Sequence, residues 1–313
     1  MEIICREDIF GEGVPFAQCH ASTVLWLPGD ILLAAWFAGT CEGSDDVMIW
    51  LSRREGGRWS FPVCVSPEEG IPHWNPVLWR GPDGRVSLYY KVGRQIPYWF
   101  TVVRESTDGG LTWSAPRELV PGDRGGRGPV KNKPLLTASG RLLAPASIEQ
   151  GPWRSFIDVS RDGVVWSRQD IPGDDPFVGM IQPTLWEHPA GHIHALLRTD
   201  GGRIFRSDST DDGYTWSPAF PTDMPNNNSG LDCARTGSGI IALVCNPVGQ
   251  NWGKRWPLTL FLSHDDGKSF QKLLDLEDAP GEWSYPAVVA QGDRLHITYT
   301  KDRRTVAYRC ITL

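Results

Sequence analysis

The octapeptide Ser106-Thr107-Asp108-Gly109-Gly110-Leu111-Thr112-Trp113 returns along the chain, and a chain that repeats itself at a fixed spacing builds repeated units. Ser209 to Trp216 keeps every key position, Ser263 to Phe270 softens the last two to Ser269 and Phe270, and Ser160 to Trp166 is one residue shorter. A worn copy, Ser52 to Trp59, carries Arg54 where the others have aspartate. The closing aromatics stand at 59, 113, 166, 216 and 270. That is a period of roughly 53 residues, in the range of propeller blades or solenoid turns, and it divides the chain into about six units.

The repeated motif has a mechanical reading. In Ser-x-Asp-x-Gly-x-Thr-Trp the aspartate can accept hydrogen bonds from nearby backbone, the glycine supplies a positive φ, and the tryptophan buries a large ring beside the turn. This is hairpin chemistry, so the motif marks the fold and not a catalytic site. Fifteen tryptophans, 34 glycines and 25 prolines in 313 residues describe many short strands joined by tight turns, without long helical periodicity. The expected class is all-β. Because each blade packs only on its neighbours, the whole of 1–313 is expected to be one domain, with no linker or low-complexity segment to divide it.

These octapeptides are similar to Asp-boxes, the BNR repeats, and the chain resembles the sialidase-like family. The resemblance implies a six-bladed β-propeller in which the Asp-box hairpins lie on the periphery, away from the channel mouth. Five boxes for six blades suits a ring closed by strands from both termini, with Val306 to Leu313 and Glu2 to Cys5 sharing the last blade. Such closure removes the free sheet edge that invites aggregation.

Charge and cysteine usage exclude several classes. A formal charge of −6 argues against general nucleic-acid binding. No apolar run is long enough to span a membrane, and the start, Met1-Glu2-Ile3-Ile4-Cys5-Arg6-Glu7, does not read as a leader, so a cytoplasmic location is expected. Seven cysteines, at 5, 19, 41, 64, 233, 245 and 310, without Cys-x-x-Cys spacing favour reduced thiols over a disulfide framework or zinc site. His192 and His194 share one face of a strand but lack nearby partners, so neither a metal nor another cofactor is expected.

Between the boxes run six segments with a polar start, a short strand, a turn and a second apolar strand. They are Cys19 to Trp36, His73 to Lys91, Lys131 to Ser147, Ile181 to Arg198, Asn228 to Asn246, and Ser284 to Lys301. Each is expected to supply the two inner strands of a blade, so residues starting the first strand and leaving the second line one mouth of the channel. This nominates His20, His73, Trp74, Asn75, Lys131, Asn132, Lys133, Gln182, Asn228, Ser229, Trp283 and Tyr285 at the entries, with Glu42, Asp45, Asp46, Lys91, Glu149, Arg198, Asn246, Lys301, Arg303 and Arg304 at the exits. Lys131, Lys133, Lys91 and Arg198 would concentrate positive charge in one cavity, which suits an anionic substrate. The acidic loop Glu42-Gly43-Ser44-Asp45-Asp46 and Glu149 would supply the paired carboxylates of glycoside hydrolysis.

The family resemblance implies three arginines for a sialic acid carboxylate, a Tyr/Glu nucleophilic pair and an aspartate acid/base. Arg198 resembles one of the arginines, and Asp45 or Asp46 the acid/base. Elsewhere the chain departs: His20 stands where the first arginine would be, Gln182 where the glutamate is expected, Asn228-Ser229-Gly230 lacks an arginine, and Tyr285 is displaced by two positions. The leading expectation is an exo-acting glycoside hydrolase on a terminal acidic sugar or oligosaccharide. Asp46 or Asp45 would be the acid, Glu149 or Tyr285 the base or nucleophile, and Trp74 and Trp99 sugar platforms. A uronate-directed polysaccharide lyase with His20 or His73 as base and Tyr285 as proton donor is the alternative, and a non-catalytic glycan- or protein-binding propeller is the third.

Overall fold

The computed structural model describes residues 1–67 and 70–313. Among them the strands form six antiparallel sheets arranged as blades. Blade 1 comprises Gln18–Leu27, Ile31–Gly39, Met48–Glu55 and the short Arg58–Trp59 and Val63–Cys64; blade 2 comprises His73–Arg80, Val86–Val92, Phe100–Ser106 and Arg117–Glu118. Blade 3 is built from Leu135–Leu136, Leu142–Ile148, Arg154–Ser160 and Ser167–Asp170, and blade 4 from Met180–Glu187, Ile193–Thr199, Arg203–Ser209 and Phe220–Pro225. Blade 5 holds Asp232–Arg235, Ile241–Cys245, Leu258–Ser263 and Gln271–Glu277. In blade 6 the strands Trp283–Gln291, Arg294–Lys301 and Thr305–Thr312 are completed by Glu2–Asp8 from the other end of the chain. One 3₁₀ turn, Ile96–Tyr98, is the only helical element among the described residues.

The β-branched and aliphatic runs of the inner strands are buried on both faces because each blade is covered by its neighbours. Leu33, Ile49, Leu78, Val86 and Leu88 form the packing between blades 1 and 2, while Leu143, Ile157, Ile193 and Leu197 do the same between blades 3 and 4. Each such side chain contributes about 1.5–3 kcal/mol on burial, so the ring is held by its radial seams.

The Asp-boxes connect the third and fourth strands of their blades, at the end away from the mouth. In blade 4 the Asp211 carboxylate accepts from Thr215 N at 2.9 Å, Thr215 Oγ1 at 2.6 Å and Ser209 Oγ at 2.8 Å. Asp108 is bound in the same way, and the hydrogen bonds from Thr112 and Ser106 hold its carboxyl well below the usual range. The box turns also tie blades together: Arg53 of blade 1 donates to Gly109 O at 2.6 Å, and Trp186 Nε1 of blade 4 donates to Asp266 at 2.9 Å.

At the mouth end the inner strands share a second device. Ala21, Asn75, Gln182, Asn228 and Tyr285 all have φ between +43° and +58°, and in blades 1, 2, 4 and 6 this position coincides with a slip in strand register. Three of the five precede proline, which ordinarily pushes a residue toward extended backbone. Left-handed non-glycine positions cost on the order of 1–3 kcal/mol each and persist where the surroundings over-determine them. They lie on the face opposite the boxes, around the axis.

Candidate active site at the channel mouth

Arg198, at the end of the second strand of blade 4, is the hub of the mouth. It is 3% exposed, yet its guanidinium is hydrogen-bonded on two nitrogens by groups from three blades. Nε donates to Asn228 Oδ1 at 2.9 Å, while Nη1 donates to Gln182 Oε1 at 3.1 Å and to the Tyr285 hydroxyl at 2.7 Å. The left-handed positions explain the convergence, because three of the five residues that occupy them, Gln182, Asn228 and Tyr285, present their side chains to this one cation. Asn228 is itself steadied by Asn251 at 3.0 Å.

Tyr285 joins blade 6 to blade 1 by resting its ring against His20, with centroids 4.3 Å apart. His20 is buried and its Nδ1 has no partner. Burial, followed by the positive charges of Arg303, Arg255, Arg198 and Lys131, pushes this imidazole well below its ordinary range, so it is neutral at physiological pH. Arg255 lies 5.6 Å from the Tyr285 ring and Arg198 5.7 Å. Three arginines therefore surround the His20–Tyr285 ring pair. Arg255 and Arg303 are each anchored by Glu282, at 2.8 and 3.0 Å, and Arg303 reaches Glu42 at 2.5 Å. Among the described residues the Nη2 atoms of Arg198, Arg255 and Arg303 have no protein partner, which leaves a donor on each for a ligand.

Glu149 completes the chain of polar groups. Its Oε1 accepts from Ser147 Oγ at 3.2 Å and, weakly, from Gln182 Nε2 at 3.5 Å, so a path of contacts runs Glu149, Gln182, Arg198, Tyr285. Burial raises the Glu149 carboxyl above its usual value despite the opposing pull of Arg198. Over Arg198 stand two indoles, Trp153 at 5.6 Å and Trp252 at 5.8 Å, edge to face with one another at 6.3 Å. Trp252 is 63% exposed and has φ 53°, an unusual conformation for an unburied aromatic.

Several sequence expectations need correcting on this geometry. Lys91 is fully buried, and its ammonium donates to Thr101 Oγ1 at 2.7 Å and to the carbonyls of Arg127 and Gly126 at 2.7 and 3.1 Å. Lys131 reaches Asn132 Oδ1 and Leu231 O at 2.9 Å and also Pro286 O, and burial lowers its ammonium to about 7. Lys133 ion-pairs with buried Asp232 at 2.9 Å, and Asn132 donates to the carbonyls of Gln182 and Pro183. Lys131, Asn132 and Lys133 thus form an axial plug that ties blade 3 to blades 4, 5 and 6, one layer deeper than Arg198. They do not offer free charge to a substrate.

His73 binds Ser66 at 2.7 Å and is lowered to about 4 by burial, and Trp74 donates to Gly93 O at 2.8 Å while packing on Trp99. Both are packing residues, and Trp99 is buried with them. Asn75 sits at the blade 2 bulge without touching Arg198. Asp45 pairs at the exposed rim with Arg94, and Asp46 accepts from Thr40 N and Oγ1 at 2.9 and 2.7 Å, which staples its loop. Arg304 is exposed, and its neighbour Arg303 is the one turned inward. Arg255, Trp153 and Trp252 were not singled out from sequence. Trp153 sits in the short turn 149–153, while Trp252 and Arg255 sit in the long connection 246–257, where the only hint in the sequence is the Trp and Arg spaced within Asn251-Trp252-Gly253-Lys254-Arg255.

The six blades thus form a ring with a polar, arginine-lined mouth at one end of its channel. A family model for the BNR repeat-like domain matches residues 30–297, and the chain belongs to that family. Among solved structures it is similar to a Hadza microbial sialidase, with TM-score 0.82 and 14% identity over 98% of this chain and 68% of the other. A protein of unknown function from Dyadobacter fermentans gives 0.77 and 15% over 99% and 97%. A sialidase of Trypanosoma rangeli in complex with the inhibitor DANA gives 0.74 and 16% over 95% of this chain, which spans 55% of that longer protein. At such identities the likeness is one of fold. No curated protein matches the chain.

Proposed function

We propose that the protein is an exo-acting glycoside hydrolase for a terminal acidic sugar. The observation that carries this reading is the trio Arg198, Arg255 and Arg303 around the packed rings of His20 and Tyr285, each arginine with an uncommitted Nη2. Guanidinium groups held in fixed orientation suit a carboxylate, which accepts two parallel N–H donors. With the carboxylate held there, the anomeric carbon would face the Tyr285 oxygen as nucleophile, and neutral His20 would receive the phenolic proton. Glu149, whose partly buried carboxyl holds its proton more firmly than a solvated one, would protonate the departing oxygen. Trp153 and Trp252 would stack on the sugar or its leaving group.

A second reading, a lyase acting on a uronate, draws on the neutral His20 lying against Tyr285, a base and a proton donor in contact near a cation. The products separate the two. Incubation with glycosides ending in sialic or uronic acids should release a saturated reducing sugar. An unsaturated, ultraviolet-absorbing uronate would establish elimination instead. Saturable binding of acidic sugars with no product would make the mouth a lectin-like site, and equal affinity for acidic and neutral sugars would remove the arginine argument.

A further inference from the structure

Two of the seven cysteines meet at the seam that closes the ring. Cys5 lies on Glu2–Asp8 and Cys310 on Thr305–Thr312, and the register sets them directly opposite one another. The row continues to His296 on the next strand, which pairs with Cys310. Directly opposed residues of antiparallel strands have Cα atoms about 4.5–5.5 Å apart. That separation falls inside the window of roughly 4.4–6.8 Å spanned by disulfides. No other two cysteines are opposed in strand register among the described residues: Cys19, Cys64, Cys233 and Cys245 face Ala38, Trp50, Leu243 and Thr259.

The surroundings favour reaction at this pair. Cys310 is 4% exposed and Cys5 half-buried, so a small oxidant can approach from the Cys5 side. The two thiols interact side chain to side chain, which pulls Cys310 below the ordinary thiol range, with His296 and Tyr308 acting in the same direction, and pushes Cys5 up. A stabilised thiolate beside a protonated thiol is the arrangement in which oxidation ends in a disulfide, since a resolving sulfur is already in place.

We propose that Cys5 and Cys310 are a redox modification site, converted by hydrogen peroxide into a cross-strand disulfide that staples the first strand of the chain to the last. The Cys310 thiolate attacks one peroxide oxygen, the O–O bond breaks, and a sulfenic acid and hydroxide form. The Cys5 sulfur then displaces the sulfenic oxygen, its proton leaves with that oxygen as water, and the hydroxide takes up the proton released when Cys310 ionised. Two thiols and one peroxide give one disulfide and two waters. The closed loop spans nearly the whole chain, where a crosslink restricts the unfolded state most.

The test is titration of the full-length protein with hydrogen peroxide, followed by thiol counting after denaturation, peptide mapping and thermal unfolding. Accessible thiols should fall from seven to five, one linked peptide should contain Cys5 and Cys310, and Tm should rise by several degrees and return on reduction. Cys5→Ser should abolish both the link and the rise, and Cys310→Ser should do the same; if the buried variant does not fold, the half-exposed Cys5→Ser decides alone. A link between other cysteines, retention of seven thiols, or an unchanged Tm in the linked protein would overturn the proposal. None of these readouts depends on the glycosidase reading.

Discussion

Glu149→Gln tests the proposed chemistry because it removes a proton and little else. Glutamine keeps the oxygen that accepts from Ser147 and Gln182, so the local contacts survive. What changes is the titration. Burial raises the Glu149 carboxyl in the folded state above its value in the unfolded chain. The folded protein therefore binds this proton more tightly, its stability contribution is full below the ordinary carboxyl range, and it is lost as pH rises through the raised value. Above that value the wild type must hold a partly buried carboxylate, and each unit of separation between the two states then costs about 1.4 kcal/mol. Glutamine carries no such penalty. Urea unfolding from acid to neutral pH should show the variant gaining on the wild type as pH rises, while the two agree at low pH. Turnover should move the other way: loss of a general acid costs about 10² to 10⁴ in rate, roughly 3–5 kcal/mol of barrier, on glycosides with poor leaving groups. Activated aryl glycosides should lose far less. Near-wild-type turnover on a natural glycoside would refute the role, and a stability difference that is flat with pH would refute the titration.

Three further outcomes follow from the mouth, the plug and the boxes. Arg198→Lys keeps the charge but loses the planar fork that bonds Asn228, Gln182 and Tyr285, so affinity for acidic sugars should fall by ~10-fold or more while neutral analogues are unaffected; calorimetry with matched sugars reads this directly. Lys133→Met leaves buried Asp232 without its ion-pair partner and should cost about 3–5 kcal/mol in urea unfolding, whereas a loss below ~1 kcal/mol would show that its remaining donors, Thr184 Oγ1, Cys233 N and Val288 N, satisfy the carboxylate. Asp211→Ala removes the acceptor of an exposed turn and should cost on the order of 1 kcal/mol with activity per folded molecule unchanged.

The fold was legible because its rules are local. Each Asp-box carries its own turn within eight residues, so Asp108 and Asp211 can be assigned without knowing their neighbours, and the spacing of Trp113, Trp166 and Trp216 counts blades directly. The two inner strands of every blade were also legible, as was the closure by Glu2–Asp8 against Thr305–Thr312. The mouth was less so, because its membership depends on which way a side chain turns. Lys131, Lys133 and Lys91 read as cations at the right strand ends, but their stems run down the axis or into a cage of carbonyls where backbone oxygens consume the charge. Arg255 and Trp252 escape any strand-end rule because the connection 246–257 folds back over the channel. Arg303 and Arg304 differ by one position in a turn, and only the backbone decides which faces His20.

The left-handed bulges explain how one architecture can carry such a site at all. A regular strand alternates its side chains between the two faces of the sheet, so its residues would point into neighbouring blades and none along the axis. A positive φ at the start of the inner strand breaks this alternation and turns one side chain per blade toward the channel. Ala21, Asn75, Gln182, Asn228 and Tyr285 occupy these five positions, and their identities are unconstrained by the repeat. Blade 3 is the exception: its first strand is only Leu135–Leu136, and the freed segment before it inserts Lys131 and Asn132 as the plug. The strain of the bulges is then offset by the contacts that meet at Arg198, to which three of the five residues bond. Removing that guanidinium would leave Tyr285, Gln182 and Asn228 in unfavourable backbone conformations without the partner they share, so the stability of the mouth and the proposed hold on a carboxylate rest on the same side chain.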